Sequence, residues 1–190
     1  MESRNIMIVG VGGQGSLLAS KLLGRILLEN GYDVKVSEVH GMSQRGGSVV
    51  TYVRYGEKVY SPIIDKGEAD IIISFELLEA ARWVEYLKEG GILLTNTQRI
   101  NPMPVITGAA EYPKSLEQKL ATLPIRLDAM DALGLALQAG SAKAVNLVLL
   151  GRLSKYFHFT DAQWQDALCR SVPAKFLELN RKAFALGAEA

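Results

Sequence analysis

Six residues, Gly10-Val11-Gly12-Gly13-Gln14-Gly15, carry the spacing GxGxxG between the apolar run Asn5–Val9 and a segment in which Leu17, Leu18, Leu22, Ile26 and Leu27 recur at helical intervals. Glycines admit tight backbone angles and close approach. A helix start supplies unpaired N–H groups and a positive dipole end, so such a loop suits a phosphate. Glu38 falls where a dinucleotide fold carries its ribose-binding carboxylate, about 20 residues beyond the motif. Two readings stay open: an anion-binding loop, or glycines that only let a helix and a strand pack closely with Glu38 as a solvent-facing strand end. A second glycine segment, His40-Gly41-Met42-Ser43-Gln44-Arg45-Gly46-Gly47, leads straight into a strand. Arg45 offers a planar fork of donors for phosphate or carboxylate, and Gly46 and Gly47 permit close backbone approach. The plain alternative is a solvated loop with a surface arginine.

The other chemically capable residues are sparse. Cys169 is the only cysteine, so the chain cannot form an internal disulfide, a CxxC pair, or a cysteine-ligated iron–sulfur or zinc site by itself. His40 and His158 are the only histidines and have no metal-ligand spacing around them. His40 is a candidate acid–base group, whereas His158 reads as a helix-end residue. Cys169 reads as a small apolar residue on a helix face. Ser16, Ser43 and Ser48 show neither a nucleophile elbow nor a triad. Trp83 and Trp164 read as packing anchors, with an interface role as the alternative. No catalytic and no metal-ligating residue is assigned.

The elements that must hold these groups alternate. Asn5–Val9 and Asp33–Val39 read as strands around one helix, a βαβ-like unit and hence parallel. Ser48–Tyr55 and Lys58–Ser61 read as an antiparallel hairpin turning at Gly56–Glu57. Asp70–Ser74 is a strand buried on both faces, followed by a helix over Glu76–Lys88, a stop at Gly90–Gly91 and a strand at Ile92–Thr95. Lys114–Ala121 is a short helix, Ile125–Leu127 a short strand, and Asp128–Ala139 helical. From Ala142 the chain is helix, with Thr160 and Gln163 as a capping box and a break at Pro173. The expected fold is α/β, a mainly parallel Rossmann-like sheet with an inserted antiparallel hairpin and a C-terminal helical segment over 140–190. Parallel strand ends would gather the glycine loop, Ser74–Glu76 and Asn96–Thr97 on one crest.

At 190 residues the chain suits one domain spanning 1–190. With 48% hydrophobic and 22% charged residues it is an ordinary globular protein rather than a disordered or fibrous one. A net charge of +1 gives no basic excess for nucleic acid. No run approaches the roughly 18 apolar residues of a membrane span, and Met1–Arg4 leads directly into a strand without a signal-peptide core. A cytoplasmic protein is expected, with neither nucleic acid nor membrane as partner.

GVGGQG after the first strand, EVHGMSQRGGSVVTYVRYG after the second, ISFELLEAAR further on and VPAKFLELNRKAFALG near the end together resemble the gamma-type subunit or domain of the 2-oxoacid:ferredoxin oxidoreductases, over Ile6 to Gly187. SEVHGMSQRGGS is more similar to the indolepyruvate branch than to the pyruvate-type domains. The resemblance implies a complex that oxidatively decarboxylates an aryl pyruvate, transfers the acyl group to coenzyme A and reduces ferredoxin. It implies that thiamine diphosphate and the iron–sulfur clusters belong to a large partner subunit, so this chain is inactive alone. The expected cofactor-binding positions are Gly10, Gly12, Gly13, Gln14, Gly15, Arg45, Gly46 and Gly47, with Gln44–Gly47 also expected at the contact with the large subunit. The rivals are a free-standing Rossmann-type NAD(P) or flavin oxidoreductase, and a non-catalytic assembly module.

Overall fold

Hydrophobic alternation with a period of two along the strands creates two buried faces, and the computed structural model, which describes residues 3–38 and 42–190, covers both with helices. The elements run β1 (Arg4–Val11), α1 (Ser16–Glu29), β2 (Asp33–Glu38), β3 (Ser48–Gly56), β4 (Ala69–Ser74), α2 (Leu77–Trp83), β5 (Leu87–Asn96), α3 (Met103–Ile106) and α4 (Leu116–Ala121). They continue with β6 (Arg126–Met130), α5 (Ala132–Ala139), α6 (Val145–Ser154), α7 (Asp161–Ser171) and α8 (Leu177–Glu189). The strand order is β2-β3-β1-β4-β5-β6. The β1/β4, β4/β5 and β5/β6 ladders are parallel, and β3 is antiparallel to both of its neighbours. The fold is thus α/β and mainly parallel, as the alternation predicts.

The antiparallel insertion differs from the expected one. β3 threads between β1 and β2, pairing Arg4↔Tyr55 through Val11↔Ser48 on one side and Asp33↔Gly56 through Glu38↔Thr51 on the other. β1 and β2 run in the same direction yet do not touch. Lys58–Ser61 forms no strand, because both edges of β3 are already filled and Pro62 has no N–H to give. The Arg54 guanidinium instead takes the carbonyls of Ser61 (3.3 Å) and Ile63 (2.8 Å).

Ile6, Ile8, Val53, Tyr55, Ile71 and Ile73 point to one face, where α1 and the C-terminal helices pack; Met7, Val9, Val50, Ile72 and Leu93 point to the other, under α2 and α4. α6 and α8 meet backbone to backbone. A Cβ on Gly151 would overlap the Phe184 carbonyl, and one on Gly187 the Val148 carbonyl. Thr160 and Gln163 form the expected capping box on α7, and a short 3-10 turn at Ala174–Phe176 follows Pro173 before α8.

Three boundaries move. The helix expected to reach Lys88 ends at Trp83, followed by a 3-10 turn at Val84–Tyr86. Gly90 and Gly91 lie inside β5 at a register shift against β4, where Gly90 takes φ 72° and donates to the Pro124 carbonyl (2.8 Å). Asp128 belongs to β6, and α5 starts only after Asp131, whose carboxylate accepts from Gly134 N (2.8 Å).

Candidate functional site

β1 delivers the glycine loop to the crest of the sheet, and the loop is mostly filled by its own chain. Gln14 turns back so that its Oε1 accepts from Val11 N (2.8 Å) while its Nε2 donates to the Phe75 carbonyl (3.1 Å). A Cβ on Gly10 would lie 2.9 Å from both Gln14 Oε1 and Phe75 Cβ, and one on Gly15 would lie 2.7 Å from Asn146 Nδ2. Gly12 N donates to the Gly47 carbonyl (2.8 Å), and a Cβ there would overlap the backbone of Ser43 and Gln44. Gly13 alone of the four faces open space, at φ 99°. The two glycine segments singled out in the sequence are therefore one interlocked structure.

The upper segment is a 3-10 turn over Met42–Gln44, closed by Arg45 N on the Met42 carbonyl (3.0 Å) and Gly47 N on the Ser43 carbonyl (2.9 Å). Gly46 sits at φ 92°. Arg45 points to solvent with no side-chain hydrogen bond or ion pair among the described residues, and Met42 beside it is 77% exposed. His40, the candidate acid–base group, lies outside the described residues.

Residues 74–76 and 96–97 join this crest as expected. The Phe75 carbonyl accepts from Gln14 and from Asn96 Nδ2 (3.2 Å), and Asn96 Oδ1 accepts from Ala132 N (3.1 Å) at the start of α5. Glu38 lies on the α1 face of β2, where its Oε1 accepts from Ser20 Oγ (2.6 Å). Cys169 is exposed rather than packed; Arg181 Nη2 donates to its sulfur (2.9 Å). Trp164 is a core anchor among Phe157, Phe159 and Phe184, whereas Trp83 is half-buried against Tyr86.

A family model described as pyruvate ferredoxin/flavodoxin oxidoreductase matches residues 5–190. The chain belongs to that family. It is 46% identical to the indolepyruvate oxidoreductase subunit IorB of Thermococcus kodakarensis, over 100% of this chain and 96% of the relative. It is 26% identical to the pyruvate/ketoisovalerate oxidoreductases common subunit gamma of the same organism, over 92% of this chain and 89% of that one. Among solved structures, 2-oxoglutarate:ferredoxin oxidoreductase from Magnetococcus marinus shares the fold at a TM-score of 0.76 and 18% identity, covering all of this chain and 31% of that longer one.

In this member of the pyruvate ferredoxin/flavodoxin oxidoreductase family two buried carboxylates escaped residue-level reading. Glu76, 1% exposed, caps α2 through Glu79 N (2.9 Å), and its other oxygen accepts from Ile100 N (3.0 Å) and Tyr112 OH (2.6 Å). Burial and that bond to Glu76 push the Tyr112 hydroxyl well above the ordinary tyrosine range. Glu79 accepts from Ser48 Oγ, Arg82 Nε (3.1 Å) and Trp83 Nε1 (3.3 Å), which ties α2 to the residue after Gly47. The readable signal was an acid three residues after Glu76, the position at which an N-cap side chain meets the backbone. Among the described residues, no group of three or more His, Cys, Asp or Glu is arranged to hold a metal ion, and no helix is long and apolar enough to cross a membrane.

Proposed function

We propose that the chain is the small subunit of an aryl-pyruvate:ferredoxin oxidoreductase, acting with a large subunit that carries thiamine diphosphate and iron–sulfur clusters. The complex decarboxylates the 2-oxo acid, passes the acyl group to coenzyme A and delivers electrons to ferredoxin, in the cytoplasm. The observation that carries this reading is the contrast between 46% identity to an indolepyruvate oxidoreductase subunit across the whole chain and 26% to a pyruvate/ketoisovalerate gamma subunit. A single cysteine accords with clusters housed elsewhere. Within that complex the Gln44–Gly47 segment meets the large subunit, with Arg45 on a partner carboxylate or a cofactor phosphate. The solvent-facing guanidinium, unpaired among the described residues, on a loop braced by Gly12 and Glu79 supports this placement.

The dinucleotide-enzyme alternative is disfavoured on geometry. The Gly12 and Val11 N–H groups are consumed by Gly47 and Gln14, and β3 separates β1 from β2, moving Glu38 one strand further out than a Rossmann ribose ligand sits. Co-expression with the proposed large subunit tests the proposal: the complex should oxidise indolepyruvate in a coenzyme A-dependent way and prefer it to pyruvate, while the isolated chain is inactive. Turnover by the isolated chain, or saturable low-micromolar binding of NAD that Glu38→Ala weakens, would refute it.

A further inference from the structure

At the β2 end of the sheet an unpaired strand edge and an apolar surface coincide. The ladder to β3 fills one side of β2, and among the described residues no other backbone hydrogen bond involves residues 33–38. Val36 on that strand is 42% exposed and Leu28 on α1 is 59% exposed, and both line a groove of about 770 Å³ along α1 and β2. Edge strands are ordinarily blunted by proline, by bulges or by guarding lysines, since an open edge recruits another strand. β2 has neither proline nor bulge, and its one lysine, Lys35, is held by Asp33. We propose that β2 pairs antiparallel with β2 of a second copy of this chain, so that two six-stranded sheets join across a two-fold axis and α1 packs beside α1 of the other copy.

Self-complementarity of the strand fixes the register. Side chains alternate along a strand and a two-fold axis normal to the sheet keeps each on its own face, so the residue at the centre must face its own copy. Only centring on Lys35 or on Val36 pairs most of Asp33–Glu38. Centring on Lys35 opposes two ammonium groups, which is unfavourable for directly facing residues. Centring on Val36 sets the two valines together, Lys35 against Ser37 of the other copy, and Val34 against Glu38 of the other copy.

The helices agree with that register. Ser20 Oγ donates to Glu38 (2.6 Å), and a Cβ on Gly24 would lie 3.9 Å from Val36 Cγ2, so α1 runs antiparallel to β2 and Leu28 stands near the level of Val34. Glu38 of one copy therefore comes level with Leu28 of the other, within one helical turn of Arg25. In its own chain Arg25 meets only Glu29, at 3.7 Å on the surface, a weak pair that leaves the guanidinium available to that carboxylate. The axis makes this opposite-charge contact twice. α1 lies over β2 and β3, and strands about 4.8 Å apart then put the two α1 axes about 10 Å from each other, near the separation of packed helices. The opposite edge lacks these features: β6 has no large hydrophobic side chain among the exposed ones, and its Asp128 is occupied by Arg152 and Tyr156.

The test uses the full chain alone, so it stands or falls separately from the activity of the proposed complex. Sedimentation should give a dimer at micromolar concentration. In a Cys169→Ser background, which removes the only native thiol, Val36→Cys should cross-link two chains under mild oxidation. Facing antiparallel residues have Cα atoms about 4.5–5.5 Å apart, inside the roughly 4.4–6.8 Å of a disulfide. Glu38→Cys in the same background, about 14 Å from its own copy in this register, should not cross-link. Leu28→Glu and Val36→Lys, both at exposed positions, should each weaken the dimer by about tenfold or more with an unchanged far-ultraviolet spectrum. Arg25→Glu should weaken it by about threefold to tenfold, and adding Glu38→Arg should restore it. A chain that stays monomeric at high micromolar concentration, or a dimer that keeps its affinity in both Leu28→Glu and Val36→Lys, would overturn the proposal. Amides of β2 that become protected from exchange only when the proposed large subunit is added would assign the edge to that subunit and overturn it equally.

Discussion

Gly12 and Gly13 are adjacent and both lack a side chain, yet different forces hold them. At Gly12 a Cβ would collide with the backbone of Ser43 and Gln44, which cannot swing aside as a flexible side chain would. Gly12→Ala should therefore displace the 42–47 segment and cost about 1–3 kcal/mol of stability, as overpacking does. At Gly13 nothing lies within reach, and only φ 99° opposes substitution, so Gly13→Ala should cost about 1–2 kcal/mol through backbone strain while leaving the Arg45 segment in place. Urea unfolding of both variants, with the amide signals of residues 42–47 as the local readout, separates the two. Tyr55 and Tyr156 act through protonation. Burial pushes both hydroxyls up to about 12, and a hydrogen bond to Asp128 adds to the shift at Tyr156. Since the folded values exceed the unfolded one near 10, these groups support the fold fully below pH 10 and lose that support as pH rises through about 12. Alkaline unfolding should follow tyrosinate absorbance across that window, and Tyr156→Phe should flatten the stability loss there; an unchanged profile in the variant would remove Tyr156 from the account.

At the scale of elements, α6 and α8 form the tightest helix pair because Gly151 and Gly187 remove the side chains between them. In an exposed helix, replacing glycine by alanine gains about 1 kcal/mol from propensity. Gly187→Ala should reverse that sign and destabilise by about 1–3 kcal/mol, since its methyl would meet the Val148 carbonyl; thermal unfolding checks the direction. This pair also shows what the sequence made legible. The helical period of Leu147, Leu150 and Leu153, the Thr160–Gln163 capping box and the break at Pro173 are local signals, and the helices follow them. The position of β3 was not legible, because a strand choosing its neighbours depends on distant partners, here Val11↔Ser48 through Arg4↔Tyr55 in β1, and Ser48–Tyr55 fits a hairpin with either side equally well. Spacing alone leaves the glycine motif open between an anion-binding loop and a packing turn. Only the structure shows that Gly10, Gly12 and Gly15 are mainly occupied by Phe75, the 43–44 backbone and Asn146, which no local pattern encodes.

At the scale of the whole molecule, this member of the pyruvate ferredoxin/flavodoxin oxidoreductase family presents an asymmetric surface: a crest braced from beneath, with Met42 and Arg45 projecting from it. Gly12 N holds the Gly47 carbonyl and Glu79 holds the Ser48 hydroxyl, so the segment is anchored at its C-terminal end before any partner arrives. Preorganisation of this kind lowers the entropic cost of binding, and it concentrates recognition in the few groups left free. Arg45 is one of them. In the isolated chain its guanidinium is solvated, so Arg45→Ala should change folding stability by no more than about 0.5 kcal/mol. In the complex the same charge would be desolvated against a carboxylate or phosphate, and truncating such a pair costs on the order of 2–5 kcal/mol. If the proposed complex forms as above, the variant should unfold with the parent midpoint yet co-purify weakly with the proposed large subunit, or require more coenzyme A for turnover. Gly47→Val should fail more broadly, because its Cβ would lie 2.9 Å from Ser43 Cα and break the brace itself. Normal assembly of Arg45→Ala together with unchanged coenzyme A dependence would return Arg45 to the status of an ordinary surface residue and move the interface elsewhere on the fold.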